Sequence, residues 1–147
     1  MSDSPMDAKL SALYQELILD HYRRPRNKGT LANATASASL RNPLCGDEID
    51  VHVEVRDGRV ADVRFGGRGC SISQASASMM TDLVKGKTPD EVAQISERFA
   101  DMIRGDEAAA KDSSLGQARA LAGVARFPTR VRCALIAWEA MARAVKA

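Results

Sequence analysis

Apolar and polar positions recur with two different periods along this chain, and each change of period marks an element. Leu10, Leu13, Tyr14, Leu17, Ile18 and His21 return at helical spacing, which predicts an amphipathic helix over 8–23 that ends before Pro25. TLANATASAS is small and weakly patterned, and reads as a loop into a short strand near 36–41. The period then drops to two: Ile49, Val51, Val53 and Val55 alternate with Asp50, His52, Glu54 and Arg56. Asp57-Gly58 supplies a hairpin turn toward Val60, Val63 and Phe65. This is an antiparallel meander with one wet face. GGRG at 66–69 is expected to break the strand, and CSISQASASMMTDLVKG to follow as a helix of small residues, placing Cys70 at a strand-to-helix junction.

Thr88-Pro89-Asp90-Glu91 has the form of a capping box with proline at the first helical position. Val92, Ile95, Phe99, Met102 and Ile103 carry that helix to Gly105. A short helix is predicted over 114–124. Pro128 opens a last one, with Val131, Leu135, Trp138, Ala142 and Val145 as its core stripe. The alanine-rich DEAAAKD is a compositional oddity without an assigned element.

The chain has 147 residues, 45% hydrophobic and 27% charged, which suits one domain over 1–147. With 21 basic and 19 acidic residues the net charge is +2, too balanced for a nucleic-acid footprint, so no nucleic-acid partner is expected. Basic charge is local: Arg23, Arg24, Arg26 and Lys28 surround Pro25, as a docking surface or simply a solvated turn. No stretch approaches the roughly 20 apolar residues that span a bilayer, and MSDSPMDAKL lacks the regions of a secretion signal. The expected location is cytoplasmic, without a membrane partner.

Three cysteines, an odd number in a chain of this character, argue against a disulfide framework and leave the thiols free, catalytic or metal-bound. Cys45 and Asp47 flank Gly46 in NPLCGD, so in an extended segment both point to one face and can share an ion; a lone aspartate there could equally be a turn residue bonding its own backbone. Cys70 begins a helix, where a thiolate is favoured, or is chosen only for being small after GRG. Cys133 falls about 200° from Val131, off the stripe; it is a ligand, or part of a small-residue face with Ala137, Ala140 and Ala144. Three thiolates and one carboxylate together match tetrahedral zinc, and the harder oxygen makes such a site labile, which suits transfer more than permanent stapling. No CxxC pair is present, so the four converge only if the fold brings them together.

LYQELILDHYRRPRNKG, NPLCGD, GGRGCSISQASASMMTDLVKGK and FPTRVRCALIAWEA, between Leu13 and Met141, resemble the U-type iron-sulfur assembly proteins related to the N-terminal domain of NifU. Within that family the chain is more similar to the SufU branch of zinc-dependent sulfurtransferases than to the IscU scaffolds. Arg132 stands where scaffolds carry a histidine before the third cysteine. FPTRV replaces the LPPVK segment read by their Hsp70-type chaperone, and the stretch around GKTPDEVAQISERFADMIRG resembles the SufU insertion.

The resemblance implies an α+β fold, a small antiparallel sheet of about three strands covered by helices. It makes Cys45, Asp47, Cys70 and Cys133 zinc ligands and Cys45 the sulfur acceptor. The implied activity is a persulfide relay: sulfur is accepted from a SufS-type cysteine desulfurase and passed to a downstream Suf assembly scaffold. Arg130 and Arg132 are candidates to steady a developing thiolate, while His21 is read as a packed histidine. The rival readings are a scaffold assembling a transient 2Fe-2S cluster on the same residues and a plain zinc-stabilised interaction module.

Overall fold

The computed structural model describes residues 5–43 and 46–146, with side chains from residue 11 onward. Its elements run α1 (Pro5–Arg23), β1 (Ala36–Asn42), β2 (Asp47–Arg56), β3 (Arg59–Arg68), α2 (Ser71–Val84), α3 (Pro89–Ile103), α4 (Glu107–Ala110), a 3-10 segment (Ser113–Arg126) and α5 (Pro128–Lys146). The three strands form one antiparallel sheet in the order β1-β2-β3, and the fold is α+β as expected.

Alternation sets the faces of the sheet. Ile49, Val51 and Val53 of β2 are fully buried, as are Val60, Val63 and Phe65 of β3, while Glu48, Asp50, His52 and Glu54 lie on the other face. Asp57 and Gly58 both have positive φ, 55° and 75°, the primed-turn geometry that matches strand twist. GGRG does not break the strand: β3 continues through Gly66 and Gly67 to Arg68, with Gly67 paired to Ile49. Gly67 has φ +110°, and a Cβ there would lie 2.0 Å from the Glu48 carbonyl oxygen, so the ladder continues because the residue has no side chain.

Helix α5 lies across β1 and β2, and α2 packs against α1, α5 and β3. Because α5 is covered from two sides, its buried arc is wider than a single stripe. Cys133 through Trp138, Ala140, Met141 and Ala144 are buried, whereas Val131, Ala142 and Val145 are only half-buried at its margins. The small-residue face with Ala137, Ala140 and Ala144 is therefore core, and Cys133 belongs to that arc.

The Thr88 box forms: its hydroxyl accepts the Glu91 N–H at 3.2 Å and the Glu91 carboxylate accepts the Thr88 N–H at 3.0 Å. Helix α1 begins three residues before the predicted start at residue 8, and Leu13 at its margin is 55% exposed. DEAAAKD contains the one-turn α4, capped by Asp106. The predicted helix at 114–124 is a 3-10 segment interrupted at Gly116 (φ 49°, ψ −131°) and capped by Asp112.

The basic turn is tied down by Asn27, whose φ of 59° turns the chain after Pro25 and Arg26. Its side-chain amide donates to Thr81 and Asp82, and its side-chain oxygen accepts from Arg64 and Lys85. Its carbonyl accepts the Phe65 N–H and the Gly29 N–H returns to Phe65, so this segment runs beside β3.

Candidate metal centre

Asp47 opens β2 in the same phase as Ile49, Val51 and Val53, so the backbone turns its side chain to the core side, where it is fully buried. An apolar residue would be ordinary at that position; a carboxylate there requires partners. Two come from the β3–α2 junction. The Cys70 N–H donates to Asp47 Oδ1 at 3.0 Å, and the Ser73 hydroxyl lies 3.2 Å from the same oxygen. Across the ladder Asp47 pairs with Asn42, which is also buried.

Gly69 makes this approach possible. A Cβ at that residue would stand 2.3 Å from Asp47 Oδ1 and 2.4 Å from Ser73 Oγ, so the carboxylate occupies the space a side chain would fill. Cys70 is the N-cap of α2 without a side-chain capping bond. Its sulfur is 3.9 Å from Ser73 Oγ, and Ser73 Oγ is 3.1 Å from the Cys70 carbonyl.

Cys133 enters from α5. The α2–α5 packing that positions it is fixed by Ser76, whose hydroxyl donates to the Ala134 carbonyl at 2.6 Å and accepts from Trp138 Nε1 at 3.1 Å. Trp138 is stacked on Phe99 of α3 with ring centroids 4.4 Å apart. One donor atom from each of Asp47, Cys70 and Cys133 lies within 4.8 Å of the other two. Ligands on a tetrahedral zinc with Zn–S bonds near 2.3 Å are about 3.8 Å apart, so a small inward shift of these side chains would suffice. The donor set of two thiols and a carboxylate fits zinc by chemistry as well as by spacing. Cys45, the fourth candidate, lies outside the described residues.

Arg130, on the first turn of α5, reaches both sulfurs. The charge of Cys70, then hydrogen bonding to Cys133, holds its guanidinium above its usual pKa, and it stays cationic. Arg132 is directed elsewhere, to Glu139 Oε1 at 2.6 Å. His21 is fully buried, with Nδ1 2.7 Å from Ser78 Oγ and Nε2 2.6 Å from Gln117 Oε1. Burial pushes its pKa down, so the ring is neutral and serves packing among α1, α2 and the 3-10 segment. In the basic turn, Arg26 pairs with Asp20 at 2.7 Å, and Lys28 donates to Gln74 Oε1 at 3.1 Å and sits 5.8 Å from the Phe65 ring centroid.

Gly69 and Ser73 belong to this site and were not singled out in the sequence. The glycine directly before Cys70, and a serine three residues after it on a helix, were the available signals.

The model of the NifU-like N terminal domain matches residues 13–146, and the chain belongs to that family. It is 44% identical to the zinc-dependent sulfurtransferase SufU of Bacillus subtilis, over 95% of this chain and 93% of the relative. It is 42% identical to the iron-sulfur cluster assembly scaffold protein IscU of Streptococcus pyogenes, over 95% of this chain and 86% of the relative. A crystal structure of a putative iron-sulfur cluster assembly scaffold protein for the SUF system from Fervidobacterium islandicum superimposes with a TM-score of 0.81 at 31% identity. That match covers 91% of this chain and 97% of the other.

Proposed function

We propose that this NifU-like domain is a zinc-dependent sulfur acceptor in iron-sulfur cluster assembly, taking persulfide sulfur from a cysteine desulfurase of the SufS type and passing it to a downstream assembly scaffold. The observation that carries the reading is the convergence of Asp47, Cys70 and Cys133 with Arg130 beside both sulfurs. The 44% identity to a zinc-dependent sulfurtransferase over nearly the full chain supports it.

In this reading Cys45, Asp47, Cys70 and Cys133 would hold the zinc, which when bound keeps the thiols deprotonated and reduced. Asp47 is the weakest donor of the set, and its hydrogen bonds from Cys70 N–H and Ser73 keep the carboxylate oriented. Cys45, which lies between Asn42 and Asp47 in the sequence, is the nucleophile. Its thiolate attacks the outer sulfur of the partner's persulfide; the new S–S bond forms on Cys45 as the partner's S–S bond breaks, and the partner cysteine leaves as thiolate. Arg130 steadies negative charge on sulfur during that exchange. This reading places the protein in the cytoplasm; no helix among the described residues is long and apolar enough to cross a membrane.

Incubation with a cysteine desulfurase and cysteine, followed by peptide mass analysis, tests the assignment. The Cys45 peptide should gain one sulfur atom, and Cys45→Ser should abolish the gain. The 42% identity to a protein named as a scaffold favours a second reading, in which a 2Fe-2S cluster is built on these residues as cargo. Stoichiometric acid-labile sulfide after iron supply, with transfer to an apo acceptor, would select it.

A further inference from the structure

We propose that Cys70 and Cys133 are a peroxide-sensitive pair that closes into an intramolecular disulfide when the site holds no metal, so that oxidation removes two of its donors. The two sulfurs come from α2 and α5 and are, with Asp47, mutually within 4.8 Å. Their exposures differ in the sense such a pair needs: Cys70 is partly exposed and Cys133 is buried. The accessible sulfur meets the oxidant and the protected one resolves the product. Helix-to-helix packing through Ser76, Ala134 and Trp138 brings the two sulfurs together. Arg130 lies beside both sulfurs.

The oxidant is hydrogen peroxide. The Cys70 thiolate attacks one peroxide oxygen; the O–O bond breaks, an S–O bond forms, and the departing hydroxide is protonated to water. The Cys133 thiolate then attacks the sulfenic sulfur; the S–O bond breaks, the S–S bond forms, and a second water leaves. Two thiols lose two electrons and two protons in total, and one peroxide becomes two waters. A dithiol reductant reverses the result by thiol–disulfide exchange. The empty site reacts in the same way whether zinc or a cluster is what it otherwise binds, so failure of the proposal would leave the sulfur-relay reading standing.

The test uses full-length reduced protein, chelator-treated or zinc-loaded, exposed to stoichiometric hydrogen peroxide, with alkylation and non-reducing peptide mapping. The expected result is a chelated protein two hydrogens lighter, a fragment joining the peptides of Cys70 and Cys133, and Cys45 still alkylated. Cys45→Ser should give the same cross-link, and the zinc-loaded protein should react at least about tenfold more slowly. Zinc uptake should fall on oxidation and return after dithiol treatment. A cross-link through Cys45 in the wild type, disulfides between molecules, sulfinic acid without a cross-link, or unchanged zinc uptake would each overturn the proposal.

Discussion

The Asp47 carboxylate and the Cys70 backbone N–H are joined by a 3.0 Å hydrogen bond spanning 23 residues of sequence, so one candidate ligand holds the peptide of another. Asp47→Ala removes the carboxylate and leaves that part-buried N–H without its acceptor. The metal-free variant should be destabilised by about 1–3 kcal/mol in chemical denaturation. Asp47→Asn retains an acceptor and loses the charge. It should stay within about 1 kcal/mol of wild type, yet bind zinc roughly 100-fold more weakly in chelator competition.

The glycines of GGRG should separate by function. Gly69→Ala puts a methyl against Asp47 Oδ1 and Ser73 Oγ, whereas Gly66→Ala meets only Asp50 Oδ2 at 3.7 Å, an ordinary contact. Zinc titration is expected to show Gly69→Ala with its affinity strongly reduced and Gly66→Ala close to wild type. Equal affinities would show that the carboxylate does not need the space at residue 69.

The two arginines that flank the approach to Cys133 have different surroundings. Arg130→Ala should keep zinc but lower the rate of sulfur acceptance by about tenfold or more, with Arg130→Lys only partly restoring it because the fork geometry is lost. Arg132→Ala breaks an exposed pair with Glu139 and should change stability by less than about 1 kcal/mol with no effect on transfer. Single-turnover transfer assays with both variants check this.

Stability should fall on acidification through His21. Burial lowers its pKa in the folded protein below the ordinary value of 6.5, so just below that pH the unfolded chain binds the proton and the folded one does not. The stabilisation is present above pH 6.5 and is lost as pH falls below it, at no more than about 1.4 kcal/mol per pH unit. His21→Gln should flatten the difference between denaturation curves measured at pH 7.5 and 5.5.

Local signals were legible in the sequence. Asp57-Gly58 and the Thr88 box act over two to four residues, and both form as written. Elements that depend on distant packing were not: α4 and the 3-10 segment are held by the Asp106 and Asp112 side chains over the buried Ala109, Leu115 and Leu121. Arg132 could not be told from Arg130 by spacing, since the distinction lies in Glu139. The donor cluster was legible only as residue types; its convergence depends on the Gly69 gap and the Ser76–Ala134–Trp138 contact, where hydrogen bonds join residues 23 to 62 positions apart. One clue was available, because Asp47 continues the core phase of Ile49, Val51 and Val53, where a carboxylate needs partners.

The most direct measurement is cysteine-dependent alanine production by a SufS-type desulfurase in the presence of this protein, zinc-loaded, chelator-treated, or as Cys45→Ser. A sulfur acceptor predicts strong stimulation that requires both zinc and Cys45. Equal turnover in all three conditions, with cluster formation once iron is supplied, would contradict it and assign the site to cluster assembly.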